Sequence, residues 1–563
     1  MKFKDIEYKR PQLEELKKEY GEKLNQLVQA ADKDEYLRIF RELNVLRGHI
    51  YTMKTLSYIR HSINTADEFY DRENAFWDQT MPQLQAYEAK LAKILLESPF
   101  RKEVDIPETL YKTLENTLKS FSPEIIEDLQ EENRLASEYG KLKSSARIEF
   151  DGEVYNLASI APLMNSDDRD TRKRATQAYN KFFEDNEEKF DEIYDRLVKV
   201  RDKMARKLGY ENYTPLGYIK MNRLDYDQDM VAKYRDQVIR DIVPLTVELR
   251  KKQAKRIGLD KLECYDLNYN FKSGNPKPHG TLDELVEAAL RMYSEMSEET
   301  GEFFRMMVDN EMFDLPTREN KEMGGYCDGL FDYKMPFIFA NANGTAGDVD
   351  VLTHEAGHAF QAFCTFKNVD IPDLCFPTME SAEIDSMSME FFAHPYSEYF
   401  FKEEAEKYHY FHIASALEFL PYGCLVDHFQ HEVYNHPEMS AEERKQTWRR
   451  LEKIYKPDVE YNGFDLLEKG GYFFRQGHIF QSPFYYIDYT LAQVCALQFF
   501  VRMLKKDEEA WKDYVHICGL GGTKSFTEIV KDAHLKVPFE EGCLKEVAAV
   551  MKEELEKIND EEF

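Results

Sequence analysis

The chain has 563 residues, 43% of them hydrophobic and 32% charged, and a formal charge of −30. This is the composition of a globular protein with a large core, and so acidic a chain is a poor partner for nucleic acid, whose phosphates need a positive field. Eight scattered cysteines without a C-x-x-C pair are expected to be reduced thiols. The start, Met1-Lys2-Phe3-Lys4-Asp5, has no apolar leader, and no uncharged apolar run reaches about 18 residues, so a cytoplasmic chain without a membrane span is expected.

Helical signals come first. From Arg10 to Leu96 apolar positions recur at steps of three and four, as at Leu24, Leu27 and Ala31. Pro99 and Pro107 interrupt, and the pattern resumes to about Lys141, with Pro123 after Ser122 as an early-helix proline. No repeat of fixed period is present, so an antiparallel helical array is expected rather than a solenoid. Arg147 to Tyr155, with Asp151-Gly152 at its centre, predicts a tight β-hairpin. Asp167 to Leu208 predicts one long helix or two, broken off by Gly209 and Pro215. Asn270 to Gly280, with two glycines and two prolines, is the best linker candidate. Pro336 to Thr345 predicts a strand, and Gly324, Gly325, Gly329 and Gly344 around it suggest a small sheet with an exposed edge, able to cap the core or to bind an extended peptide.

His354-Glu355-Ala356-Gly357-His358 follows this strand. On a helix, residues four apart share a face, so both imidazoles can reach one ion while Glu355 reaches a water upon it. A Zn²⁺ held with one open position acidifies its water to a pKa of about 7, which implies metal-assisted hydrolysis, most often of a peptide bond. The apolar flanks Val349, Val351, Leu352, Ala359, Phe360 and Phe363 argue against a solvated surface helix. Gly357, a residue that weakens helices, is better kept where something approaches its backbone. A third ligand at metzincin spacing is absent, since Gln361 and Cys364 stand where that pattern needs glycine and histidine. The next helix, starting near Thr378 and ending before Pro395, offers Glu383, with Glu380 and Asp385 as rivals that spacing does not separate. Glu390 can accept the second N–H of a ligand imidazole.

Among the remaining histidines, His428 and His431 lack the inverted H-x-x-E-H order and predict no site, and His394, His409 and His412 have no ligand spacing. Further on, His478 precedes a tyrosine cluster, Tyr485, Tyr486 and Tyr489. A hydroxyl aimed at an oxyanion would lower the barrier, although such clusters are usually core. The acidic tail, Glu553 to Glu562, predicts a frayed end.

Taken together, Thr353-His354-Glu355-Ala356-Gly357-His358-Ala359, Glu383-Ile384-Asp385-Ser386-Met387-Ser388-Met389-Glu390, and His478-Ile479-Phe480 with Pro483-Phe484-Tyr485-Tyr486-Ile487-Asp488-Tyr489 resemble the thimet-oligopeptidase-like zinc peptidases. Leu208 to Tyr213 and Asn165 to Arg169 look like the oligoendopeptidase F and Pz-peptidase branch. The resemblance implies a mainly α fold, a helical ellipsoid divided by a deep channel, with a small β-sheet beside a gluzincin-type H-E-x-x-H helix. It selects Glu383 as third ligand to one Zn²⁺ per chain and implies oligopeptide substrates. It also gives His478 and the tyrosines a substrate-side role. Mammalian members carry a tyrosine where this chain has Pro483, and their last one falls at Thr490, which favours Tyr486 and Tyr489 here. Residues 1–190 are expected to form an N-terminal helical region and residues 191–563 the catalytic region. A carboxypeptidase or dipeptidyl-type exopeptidase is the alternative, with Arg475 as the cation for a terminal carboxylate; a non-catalytic peptide-binding scaffold would lack the base or a ligand, and all are present.

Overall fold

Five helices open the chain: α1 (Leu13–Val28), α2 (Lys33–Ile63), α3 (Glu68–Glu97), α4 (Glu108–Ser120) and α5 (Ile126–Ser144). The computed structural model describes the backbone of residues 1–563 and every side chain but that of Glu561. The two longest of these five helices start where a short acidic side chain can take an unsatisfied N–H: Asp32 accepts from Glu35 N, and Asp67 from Phe69 N and Tyr70 N. α1 buries Leu16, Tyr20, Leu24 and Leu27, the stripe its spacing predicts, against α2 and α3.

β1 (Ile148–Phe150) and β2 (Glu153–Tyr155) form the predicted antiparallel hairpin. Asp151 and Gly152 both have positive φ, 50° and 88°, the requirement of a two-residue turn that follows the strand twist. Two helices follow, Arg169–Asp185 and Glu187–Lys207, broken at Asn186. The stretch from Asn270 to Gly280 is irregular, as its prolines and glycines predict, but it is no free linker. Phe271 is buried beneath Arg256 and Tyr410, and Lys407 Nζ donates to Ser273 Oγ at 3.0 Å. The tail also departs from expectation: Cys543–Lys557 is helical, and Asp560 Oδ2 lies 2.5 Å from the buried Arg256. An acidic side chain that finds a buried cation is held rather than frayed.

The second sheet has the order β3 (Phe313–Pro316), β5 (Met335–Ala342), β4 (Tyr326–Leu330). β5 is central, parallel to β3 and antiparallel to β4, with Tyr326 opposite Phe339. Phe337, Ile338 and Phe339 are completely buried, which matches a strand covered on both faces, and β3 and β4 form the two edges. Four helices then build the half that carries the H-E-x-x-H string: α6 (Gly347–Phe366), α7 (Met379–Phe392), α8 (Ala405–Asn435) and α9 (Tyr486–Leu504). α6 lies against β5, and α7 runs between α6 and α9. In α9, Asp488 is buried against Arg223 (3.0 Å) and Tyr226 (3.2 Å). No helix is long and apolar enough to cross a membrane.

Candidate metal centre and active site

The turn from β5 into α6 is held by Asp348, whose carboxylate accepts the N–H groups of Asn343 (2.9 Å) and Gly344 (2.7 Å). α6 then buries Val349, Leu352, Ala356, Ala359, Phe360 and Phe363, and His354 and His358 share a half-buried face one turn apart, ring centroids 5.1 Å from each other. α7 crosses at Gly357. A Cβ there would lie 2.6 Å from both the Asp385 carbonyl oxygen and Ser386 Cα, so only glycine lets the two backbones touch.

That contact brings Glu383 to the histidines. Its Oε2 lies 3.2 Å from His354 Nε2 and 3.3 Å from His358 Nε2. The three ligand atoms lie within 4.8 Å of one another, the one such group of histidine, cysteine and carboxylate atoms among the described residues. Two imidazole nitrogens and a buried carboxylate are the donor set for Zn²⁺. Ser386 Oγ donates to Glu383 Oε2 at 2.8 Å, and the Tyr485 hydroxyl donates to Oε1, so the carboxylate is oriented from both sides. Burial opposes charge on Glu383, yet His358 and His354 hold it well below the usual carboxylate range. His354 Nδ1 donates to Glu390 Oε1 at 2.7 Å.

The rivals turn elsewhere. Asp385 Oδ1 accepts from Cys518 Sγ at 3.4 Å, and burial pushes its carboxyl up to about 8. Glu380 is buried with both oxygens unpartnered, and burial followed by the charge of Asp488 raises it to about 8. His428 and His431 each face a tyrosine, Tyr455 at 3.1 Å and Tyr218 at 3.0 Å.

Glu355 sits in the same pocket of charge. Its Oε2 is buried without a partner, and its Oε1 lies 3.0 Å from where a Cβ on Gly325 would stand, so the bare backbone leading into β4 runs against it. Burial pushes this carboxyl up, opposed by His354 and His358. A raised, unpartnered carboxylate is suited to taking and returning a proton.

His478 Nδ1 lies 2.8 Å from Gln476 Nε2, and its Nε2 lies 3.0 Å from the Tyr489 hydroxyl. Burial, more than any neighbouring charge, lowers it to about 4, so it is neutral at physiological pH. Tyr485 and Tyr489 rings lie 4.9 Å apart, and burial raises both hydroxyls well above 10, which keeps them as donors. The Tyr486 ring packs on His478 (5.0 Å) and Tyr489 (5.3 Å) as well as on Phe419 and Tyr422. Sequence spacing missed Tyr485 as the hydroxyl on Glu383, because a kink before it is invisible in pattern: Phe484 has φ 67°. Its ring fills a socket of Tyr213, Tyr218, His431 and Tyr434, and Gln430 and Arg223 bond its backbone. Arg475, the proposed carboxylate grip, donates to Asn180 Oδ1 at 2.8 Å and stacks on Tyr472 at 3.9 Å.

Three cavities of about 630, 380 and 420 Å³ separate the N-terminal helices from the catalytic half, and Lys220 lines all of them. The first reaches Gln481 and Ser482, at the end of the His478 turn, and the last is lined by Tyr485.

A mostly helical chain whose H-E-x-x-H pair is completed by a glutamate from the following helix has the gluzincin arrangement of the metallopeptidases. Residues 3–121 match the Peptidase M3 N-terminal domain and residues 162–549 match Peptidase family M3; the chain belongs to that family. It is 48% identical to a solved structure titled "PZ PEPTIDASE A with inhibitor 2", with TM-score 0.98 over 100% of both chains. It is 23% identical over 294 residues to the Group B oligopeptidase PepB of Streptococcus agalactiae, which is 51% of this chain and 48% of that one. It is 25% identical over 222 residues to the chromosomal oligoendopeptidase F of Lactococcus lactis subsp. cremoris, covering 38% and 35%. The chain thus spans about half, or less, of the length of these two curated relatives.

Proposed function

We propose that this chain is a zinc-dependent endopeptidase that hydrolyses peptide bonds within short oligopeptides in the cytoplasm. The observation that carries the reading is the meeting of His354, His358 and Glu383 beside the unpartnered carboxylate oxygen of Glu355. His354 Nε2, His358 Nε2 and Glu383 would hold one Zn²⁺ per chain, which when bound polarises the scissile carbonyl and acidifies a water. Glu355 takes the proton of the attacking water on its carboxylate and returns it to the leaving amine nitrogen. Tyr489 offers an O–H donor to the developing oxyanion, His478, neutral and bonded to Tyr489, holds that ring in place, and Tyr485, its one O–H engaged by Glu383, orients the ligand carboxylate. The β4 edge beside Glu355 offers main-chain groups to an extended peptide. The names of the relatives, oligopeptidase and oligoendopeptidase, support the substrate class.

The occupied guanidinium of Arg475 favours internal cleavage over an exopeptidase. The test is mass-spectrometric mapping of cuts in a peptide library with both termini blocked, with and without chelator, and with the Glu355→Gln variant. Internal cuts that vanish with chelator are expected, together with a variant that retains zinc and loses about 10²–10⁴-fold in kcat. Cleavage confined to unblocked termini would replace this reading with the exopeptidase, and near-normal turnover by Glu355→Gln would remove Glu355 as the base.

A further inference from the structure

Behind His354 a series of polar side chains begins at Glu390. Glu390 Oε1 accepts from His354 Nδ1 at 2.7 Å, and the other oxygen, Oε2, lies 2.8 Å from His412 Nε2. His412 Nδ1 lies 2.8 Å from His394 Nε2, and the His394 carbonyl lies 3.0 Å from His409 Nε2. The series runs from α6 through α7 to α8, with His394 in the turn that follows α7. His412 and His394 are each 5% exposed. The Tyr408 ring stacks on His412 with centroids 5.6 Å apart, and its hydroxyl donates to Asp350 Oδ1 at 2.6 Å, which fixes the plane of the imidazole. Buried polar rings are kept where their hydrogen bonds are made, and here both nitrogens of His412 are engaged, one of them on Glu390. Glu390 therefore has an imidazole on each oxygen, and its position is set by both.

We propose that His412, braced by His394, is a positioning residue of the metal centre: it anchors Glu390, which in turn sets the tautomer and ring orientation of His354. The inference rests on the zinc reading given above. The second nitrogen of a ligand imidazole donates to its carboxylate, so any freedom of Glu390 becomes freedom of the ligand ring.

Two near-isosteric variants separate this role from simple packing. In His412→Gln the amide N–H falls where Nε2 was and still reaches Glu390. In His412→Asn the amide overlays Nδ1, keeps the His394 side and leaves Glu390 Oε2 without its donor. The readouts are the zinc dissociation constant of the full chain, by chelator competition from the metal-free protein, and the melting temperature without metal. His412→Asn is expected to weaken zinc about 10–100-fold and His412→Gln less than about threefold, with similar melting of the two. Zinc binding by His412→Asn equal to that of the unsubstituted chain overturns the proposal, and so does an equal loss in both variants. A cycle with Glu390→Gln keeps the test sound if one variant folds poorly: His412→Asn should add no more than about twofold once Glu390 is changed, and losses that multiply overturn it. An unsubstituted chain that binds no zinc overturns the proposed function as well, which tells the two failures apart.

Discussion

Tyr485 and Tyr486 are neighbours whose hydroxyls have different surroundings. The first donates to Glu383, while the second makes no hydrogen bond to the cluster and only packs its ring on His478, Tyr489, Phe419 and Tyr422. The resemblance favoured Tyr486 and Tyr489; the left-handed backbone at Phe484 precedes Tyr485, whose hydroxyl meets Glu383. Tyr485→Phe, which removes a donor from the ligand carboxylate, is therefore expected to cost about 10–100-fold in zinc affinity or kcat, and Tyr486→Phe to change either severalfold at most. Steady-state kinetics with zinc content measured on the same samples decides it; equal effects of the two substitutions would remove the distinction. The decoys were legible in the sequence at this scale, since His428 and His431 lacked ligand order and each faces a tyrosine. The role of His412 was not legible, because its partner Glu390 lies on another helix.

Between elements, the crossing of α6 and α7 at Gly357 governs the site. The sequence signalled an unusual glycine in a helix, and the structure supplies the object that approaches it, the Asp385–Ser386 backbone. Gly357→Ala sets two effects against each other. Helix propensity gains up to about 1 kcal/mol, and the 2.6 Å overlaps with backbone atoms, which have no flexible end to move, cost about 1–3 kcal/mol or more. The overlap wins, so melting temperature should fall. The same wedge moves Glu383 off the histidines, so zinc affinity should fall with it. A stabilised variant with unchanged zinc binding would show that the helices can part without cost to the site. The hairpin and the H-E-x-x-H helix were legible because their signals are local, positive-φ turn residues in one and a four-residue step in the other. The pinning of the Asn270–Gly280 stretch and of Asp560 was not, since each depends on a side chain far away in sequence.

Across the whole molecule, Arg47 of α2 ties the N-terminal helices to the catalytic half. It reaches Asp373 Oδ2 at 2.6 Å and Oδ1 at 2.8 Å, and Glu88 Oε2 of α3 at 2.8 Å, in the wall of the 380 Å³ cavity. Its side chain is 2% exposed, and its two acidic partners keep about a fifth of their surface, 21% and 22%. Arg47→Met leaves two carboxylates together without a cation. The expected loss is at or below the roughly 3–5 kcal/mol of a broken fully buried pair, because water still reaches the acids. Denaturant unfolding measures it, and an unchanged midpoint would mean that the two halves hold without the ion pair. By itself the sequence determined the helical character, the pair of imidazoles on one face and the glutamate between them, because each follows from the geometry of neighbours along a chain. Spacing left open which carboxylate meets the histidines, and only the resemblance pointed to Glu383; the tertiary structure brings it to them and alone decided which tyrosine touches it and that His412 stands behind Glu390. Those choices depend on how closely two helices pack, and a few ångströms of approach between distant segments leave no period in the sequence.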